Sequence, residues 1–254
     1  MISTALLRHS RMDDRHASSD RVAGLPGHRH ADSESLAQAL ATAVAEELRA
    51  AIRARDKATL ALSGGTTPLR FLEYLAREEL DWWRVSATLV DERWVPADHA
   101  RSNARLLREH LLRGPAARAH FMPLYRDTPS PEDALAAIGS DIATLLPLDV
   151  VVLGMGLDGH VASYFPGGEG TAAALDPLSA SPLAVVRAAA AGEPRITLTL
   201  PVLAAGRAVH LHIEGAEKRA VLERALAGNA EDAALPVQRV LQHLQPAPTT
   251  WWCP

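Results

Sequence analysis

Apolar residues recur at every fourth position in the first regularly patterned segment of the chain. These residues are Leu36, Leu40, Val44, Leu48 and Ile52. A spacing of four places them on one face of a helix. Asp32 or Ser33 precedes the stripe, and either side chain can cap the first helical turn. A long helix that begins near residue 32 is therefore predicted.

Short apolar runs alternate with amphipathic segments along the rest of the chain. The predicted strands are residues 59–62, 85–90, 149–153, 183–187, 196–200 and 209–213, with 249–253 as a last edge strand. The predicted helices begin at Pro68, Ser102 and Ser130, and two more cover residues 218–226 and 237–244. Strands that are apolar throughout and alternate with helices indicate an α/β fold, with a mostly parallel sheet covered by helices on both faces.

The N-terminal segment, residues 1–31, has no sustained period and is rich in Arg, His, Asp, Ser and Gly. We predict a polar, loosely ordered extension there, with one edge strand near residues 2–7. Residues 32–254 carry the regular pattern without a linker or a repeat. They are predicted to form a single domain.

The composition excludes several classes of protein. The chain of 254 residues is 48% hydrophobic and carries a net charge of −4, which does not favour a nucleic-acid binder. It has no run of about 18 apolar residues, so no membrane span is predicted. A single cysteine excludes a disulfide framework and a zinc site built from several cysteines. A cytoplasmic protein is the default expectation.

A glycine-rich turn follows the strand predicted at residues 59–62. It consists of Ser63, Gly64, Gly65, Thr66 and Thr67, and Pro68 then opens a helix. Glycines let backbone N–H groups approach an anion, and the hydroxyl groups add further donors. A phosphate cradle is one interpretation, and an ordinary strand-to-helix turn is the other.

Charged residues follow the strands predicted at 85–90 and 209–213. Asp91 and Arg93 stand where the strand at 85–90 ends, and an arginine fork suits a phosphate, although a surface ion pair would use the same residues. Lys218 and Arg219 stand near the start of a helix, against the preference of the helix dipole. A bound anion would offset that cost, and solvated side chains are the alternative.

The third motif, Gly-Met-Gly-Leu-Asp-Gly-His at residues 154–160, follows the strand at 149–153. A dinucleotide site is rejected because the Tyr-Phe-Pro-Gly-Gly run at 164–168 would interrupt the long helix that such a site requires. His160 can instead accept a proton from water, and Asp158 can fix its tautomer. Glycines such as Gly156 leave room for a substrate. A histidine that only caps the turn is the alternative.

Two other catalytic classes are disfavoured by pattern. The chain has no Gly-x-Ser-x-Gly elbow, which disfavours a serine nucleophile. His210 and His212 alternate on a predicted strand, but no second ligand motif accompanies them, so no metal site is predicted.

Taken together and in order, these motifs resemble the 6-phosphogluconolactonase family. The matching runs are residues 60–68, 91–96 with Ser102 and Asn103, 154–166, 195–201 and 215–218. The resemblance covers about residues 32–245. It implies a Rossmann-like single domain, no metal and no cofactor, and a small sugar phosphate lactone as the substrate. A monomer is our separate expectation for the oligomeric state.

The resemblance also implies roles for particular residues. His160 would activate water for attack on the lactone carbonyl, and Asp158 would position it. Arg93 and Lys218, with the turn at residues 63–67, would hold the phosphate and the sugar. Two alternatives stay open: a glucosamine-6-phosphate deaminase, whose first loop usually reads differently, and a sugar-phosphate sensor without turnover.

Overall fold

The computed structural model describes residues 21–228 and 235–254. The strands in this part of the chain are β1 (Arg21–Val22), β2 (Leu25–Arg29), β3 (Ala58–Leu62), β4 (Val85–Leu89), β5 (Asp91–Arg93), β6 (His120–Met122), β7 (Val150–Gly154), β8 (Leu183–Val186), β9 (Arg195–Leu198), β10 (Ala208–Glu214) and β11 (Thr249–Cys253). The helices are α1 (Ser33–Arg55), α2 (Leu69–Leu75), α3 (Asn103–His110), α4 (Pro131–Ala143), α5 (Thr171–Ala174), α6 (Leu200–Ala204), α7 (Ala216–Ala227) and α8 (Pro236–His243).

The main sheet has the order β1-β2-β11-β10-β7-β3-β4-β6. Its neighbouring strands are parallel except for the β1–β2 pair. The predicted α/β fold with a mostly parallel sheet is confirmed. Because the strands are parallel, the carboxyl ends of β3, β7 and β10 meet at one edge, where the predicted motifs follow them.

Helix α1 begins where the pattern predicts. The Asp32 side chain accepts a hydrogen bond from the backbone N–H of Ser35 at 2.8 Å. The apolar stripe is buried from Leu36 through Leu48, whereas Ile52, near the end of the helix, is only partly covered. No helix in residues 21–228 and 235–254 is long and apolar enough to cross a membrane.

The N-terminal boundary differs from the prediction. Residues 21–29 belong to the sheet, because β2 pairs in parallel with β11. β11 is therefore an interior strand and not the predicted edge strand. Gly27 permits this approach, since a Cβ there would lie 2.2 Å from the carbonyl oxygen of Thr250. The edge strand expected near residues 2–7 lies outside the described residues.

A second, antiparallel sheet has the order β5-β9-β8. The strands predicted at 183–187 and 196–200 form here and not in the main sheet, and the Asp91–Arg93 segment forms a short strand and not a loop. Within this sheet Arg93 of β5 is the direct partner of Arg195 of β9. The small sheet therefore carries two arginines to the carboxyl edge of the main sheet.

Candidate active site

A cavity of about 310 Å³ lies where the two sheets meet. It is lined by ten of the twelve predicted site residues: Ser63, Gly64, Gly65, Thr66, Thr67, Asp91, Arg93, Gly156, His160 and Lys218. These residues are up to 155 positions apart in sequence but line one cavity, because a parallel sheet brings the carboxyl ends of its strands to the same edge. The other two predicted residues, Asp158 and Arg219, do not line the cavity.

His160 is held by the side chain of Asp158. The Nδ1 atom of His160 lies 2.5 Å from Oδ1 of Asp158, which also accepts the backbone N–H of His160 at 3.2 Å. The ring packs at 4.6 Å from the ring of Phe165. With the carboxylate on Nδ1, the proton of a neutral imidazole is placed on that atom and Nε2 is left as an acceptor.

The turn that carries His160 has no room for a side chain at Gly156. A Cβ on Gly156 would lie 2.3 Å from both Cε1 and Nδ1 of His160 and 2.6 Å from Oδ1 of Asp158. The backbone N–H of Gly156 donates to the carbonyl of His160 at 2.9 Å, which closes the turn. Gly156 therefore allows the histidine and the aspartate to sit against the backbone.

The glycine-rich turn after β3 is joined to Lys218 of α7. Lys218 Nζ donates to Oγ1 of Thr67 at 3.0 Å, and Ser63 Oγ accepts the backbone N–H of Gly154 at 3.0 Å. Burial lowers the pKa of Lys218, and the nearby carboxylate of Glu214 opposes this shift. One half-buried ammonium group thus faces a turn rich in hydroxyl and N–H donors.

Asn103 closes the wall behind this turn, although the sequence analysis gave it no role. A Cβ on Gly64 would lie 1.9 Å from Oδ1 of Asn103, so a glycine is required for the two segments to touch. The Nδ2 group of Asn103 donates to the carbonyl of Asp91 at 2.9 Å. Its only predictive signal was the Ser102-Asn103 match to the family motif.

Asp91 lines the cavity but its carboxylate is already engaged. Its Oδ2 atom accepts the hydroxyl of Ser163 at 2.6 Å and lies 3.7 Å from Nη1 of Arg195. Oδ2 of Asp91 therefore orients these neighbours, and a contact of Asp91 with substrate stays a prediction. Arg195 is 93% buried by side-chain area and lines the same cavity. Sequence reasoning gave Arg195 no role, because it directly precedes the strand predicted at 196–200 and its only signal was the family match over residues 195–201.

Arg219 is placed outside the cavity, contrary to its predicted contact with substrate. Its Nε donates to Glu223 at 2.7 Å, and its guanidinium lies over the ring of Trp252 at 4.7 Å. Arg219 directly follows Lys218 on α7, so its side chain points about 100° further around the helix axis. The lysine and the arginine therefore cannot both reach the turn.

Four of the buried side-chain atoms without a hydrogen-bond partner belong to residues of this cavity. They are Nε of Arg93, Nε of Arg195, Oδ1 of Asn103 and Nδ1 of His212. Buried polar groups in proteins nearly always have partners, so a cluster of unpaired ones around one cavity indicates a site for a polar ligand or for water.

Glu92 lies between Asp91 and Arg93, and its buried carboxylate holds several backbone segments of the site by hydrogen bonds. It is fully buried and accepts the backbone N–H groups of Arg93 at 2.7 Å, Asn103 at 2.8 Å and Ala104 at 2.7 Å, and the hydroxyl of Ser102 at 3.1 Å. Burial raises the pKa of Glu92, and these donors oppose the shift. The carboxylate fixes the start of α3 against β5.

We expect Glu92→Gln to lower the free energy of unfolding by about 2–3 kcal/mol, because hydrogen bonds to a charged group contribute about 1.5–3 kcal/mol and an amide NH₂ would face donors. Urea unfolding measures this. Glu109→Gln is the control: Glu109 is an exposed residue paired with Arg105, and this change should stay within about 0.5 kcal/mol. Equal losses in the two variants would contradict the anchoring role.

The two histidines of β10 are paired with protein groups. His210 Nε2 lies 2.7 Å from Glu47, and His212 Nε2 lies 2.9 Å from Glu214. In the described part of the chain, no three His, Cys, Asp or Glu side chains are grouped as a metal site.

Comparison with known proteins identifies relatives of the chain. A family model described as glucosamine-6-phosphate isomerases/6-phosphogluconolactonase matches residues 31–252. A 6-phosphogluconolactonase of Rhizobium meliloti is 46% identical over 87% of this chain and 95% of its own length. One from Pseudomonas putida is 43% identical over 89% of this chain and 92% of its own length.

Solved structures agree with this assignment. The crystal structure of a 6-phosphogluconolactonase from Shewanella baltica superposes with a TM-score of 0.84 at 35% identity, covering 89% of this chain and 96% of that one. A monomeric glucosamine-6-phosphate deaminase reaches a TM-score of 0.70 at 18% identity, covering 89% and 95%, and shares the fold. The chain therefore belongs to the glucosamine-6-phosphate isomerase/6-phosphogluconolactonase family.

Proposed function

We propose that this protein hydrolyses 6-phosphoglucono-δ-lactone to 6-phosphogluconate. The observation that carries the proposal is that His160, which is paired with Asp158, lines the same cavity as Lys218 and the turn at residues 63–67. The cavity thus holds a general base and an anion cradle together. Relatives at 43–46% identity carry the lactonase name.

His160 acts as the general base in this proposal. Asp158 holds Nδ1–H, so Nε2 takes a proton from a water molecule as the water attacks the lactone carbonyl. The carbonyl becomes a tetrahedral oxyanion, and its collapse breaks the bond to the ring oxygen. The imidazolium returns the proton to that oxygen, which becomes a hydroxyl group. The new carboxylic acid then releases its proton to solvent, which gives the carboxylate of 6-phosphogluconate.

Arg195 and Arg93 are assigned to the oxyanion and the sugar. Arg195 lies with its guanidinium 5.4 Å over the ring of Phe165, and that ring packs on His160. Arg93 is its partner in the sheet. Both cations therefore belong to the end of the cavity where water is activated, and Lys218 belongs to the phosphate end. Preorganised positive charge at a developing oxyanion is a large source of catalysis.

A coupled assay tests the function. Freshly made 6-phosphoglucono-δ-lactone is supplied, and excess 6-phosphogluconate dehydrogenase reports the product against spontaneous hydrolysis. We expect a rate well above background, with and without prior treatment of the protein with a chelator that is then removed. A background rate from folded protein would refute the proposal, and ammonia release from glucosamine 6-phosphate would then be measured.

Replacement of Lys218 tests the phosphate end. Lys218→Met should raise KM for the lactone about 10- to 100-fold with a smaller change in kcat, because a charge-assisted hydrogen bond to the phosphate is lost. The chain has one other lysine, the exposed Lys57. Lys57→Met is therefore the matched control and should leave KM unchanged. A loss confined to kcat would move Lys218 away from the phosphate.

We also propose that the protein works as a monomer. The proposal is supported by the way His160, Lys218 and the turn at residues 63–67 come together around one cavity within a single copy of the chain. Sedimentation at assay concentration measures the state, and loss of activity on dilution would contradict the proposal.

A further inference from the structure

His212 forms a second histidine–carboxylate pair in the wall of the cavity. Its side chain is 98% buried and its ring lines the cavity. Nε2 lies 2.9 Å from Oε1 of Glu214, whereas Nδ1 has no hydrogen-bond partner. Nothing in the proposed mechanism uses this ring. A buried imidazole nitrogen without a partner is costly unless a ligand or a water supplies one.

His210 shows that the unpaired nitrogen is specific to the cavity. It lies two residues earlier on β10, so its side chain leaves the same face of the sheet. Both of its ring nitrogens are paired, Nε2 with Glu47 at 2.7 Å and Nδ1 with the indole N–H of Trp251 at 3.0 Å. His210 does not line the cavity.

The position of His212 is at the phosphate end. In the sheet His212 is the direct partner of Gly154, whose backbone N–H donates to Ser63 of the glycine-rich turn. The ring meets Phe71 of α2 edge-on at 6.3 Å, and α2 is the helix that the turn opens. His212 is thus set next to the strand end and the helix that flank the glycine-rich turn.

The carboxylate of Glu214 determines which ring nitrogen of His212 carries a proton. Its hydrogen bonds with His212 and with the hydroxyl of Ser33, at 2.7 Å, lower the pKa of Glu214 although burial opposes them. An ionised carboxylate accepts, so Nε2 of His212 carries a proton. For Nδ1 to donate to a phosphate oxygen as well, the ring must be an imidazolium. That cation would also separate the carboxylate from the phosphate, which would otherwise repel each other.

We propose that His212 is a phosphate-binding residue of this site, which donates from Nδ1 to a phosphate oxygen as an imidazolium held by Glu214. The proposal rests on the proposed function for the identity of the substrate, but the ligand chemistry it requires is only that of a tetrahedral dianion.

The charged and titratable groups around His212 come from several elements. Glu214 lies on the same strand as His212, and Lys218 lies on α7. Cys253 of β11 is close to Ser33 of α1, at 3.7 Å, and burial raises the pKa of its thiol, which keeps it neutral. α2 contributes the apolar Phe71. The Glu47–His210 pair lies on the same face of the sheet, two residues earlier on β10, and both ring nitrogens of His210 have hydrogen-bond partners.

Calorimetric titration with inorganic phosphate and with sulfate tests the proposal in the intact protein. Sulfate has no ionisation near neutral pH and serves as a second tetrahedral dianion. His212→Gln keeps a donor toward Glu214 and removes the group at Nδ1. We expect it to weaken the binding of both anions about 10- to 100-fold. kcat on saturating lactone should stay within about threefold, since ground-state contacts change KM.

His210→Gln is the matched control, because it changes a buried histidine–glutamate pair on the same strand outside the cavity. It should leave the phosphate Kd unchanged. If His212→Gln shows no cooperative thermal unfolding, His212→Leu replaces it, and the same loss of phosphate affinity is expected. Wild-type phosphate affinity in a folded His212 variant would overturn the inference. A wild-type protein that binds phosphate through His212 but does not hydrolyse the lactone would overturn the proposed function alone.

Discussion

Replacing His160 with alanine is expected to lower kcat for lactone hydrolysis by about 10²–10⁴-fold, the usual contribution of a positioned general base. The reason is local: His160 is the cavity residue whose imidazole is held on Nδ1 by a carboxylate at 2.5 Å. The ring is partly exposed, so its removal should change the unfolding midpoint little. Steady-state kinetics with the coupled assay gives kcat, and thermal unfolding monitors the fold.

A matched control for this variant is His120→Ala. His120 is an exposed residue of β6 and does not line the cavity, so kcat should not change. Asp158→Asn should fall between the two, because the amide keeps the geometry of the turn but removes the charge that holds the proton on Nδ1. A kcat for His160→Ala within threefold of wild type would remove His160 from the mechanism.

Adding one methyl group at Gly156 is expected to lower kcat about 10²-fold while the fold is kept, because a displacement of about 1 Å in a catalytic group can cost that much. The new Cβ would meet two atoms of the His160 ring at 2.3 Å. The ring can move into the cavity, whereas the backbone of the turn cannot. Kinetics of Gly156→Ala, with its unfolding midpoint, measures the effect.

Gly139→Ala is the control for this substitution. Gly139 lies in α4, where a Cβ would touch Pro182 at 3.5 Å, an ordinary contact. Alanine there should leave kcat unchanged and should stabilise the protein by up to about 1 kcal/mol through helix propensity. If Gly156→Ala kept wild-type kcat, the tight packing of His160 against this turn would have no catalytic consequence.

Local patterns were enough for the elements that position the site. The stripe from Leu36 to Leu48 predicted α1, and the apolar runs predicted the central parallel strands, because each period reports which face is buried. Ser130 was correctly predicted to open α4, where it forms a capping box with Asp133. The order of the motifs along the chain placed most of the candidate residues, since parallel strands bring their carboxyl ends to one edge.

Other features could not be read from local pattern. Residues 25–29 contain Pro26 and Gly27 and show no alternation of apolar residues, so local pattern predicts no strand there. They form β2 because the neighbouring strand β11 supplies the backbone hydrogen-bond partners. Arg195 directly precedes the strand predicted at 196–200 and was given no role in the site. Its place in the cavity depends on β9 pairing with β5 in a second sheet, which is a contact over about 100 residues.

What the sequence by itself determined is the set of elements, the α/β class and the chemistry available at His160, Asp158, Lys218 and the glycine-rich turn. These follow from residue type and short-range spacing. The tertiary structure alone decided which polar groups form hydrogen bonds with each other and which are left without a partner in the protein, so that a ligand can bind them. Asp91 is engaged by Ser163 and Arg219 by Glu223, while His212 keeps one nitrogen unpaired. The physical reason is that a hydrogen-bond partner is set by distance in space, and spacing along the chain does not report it.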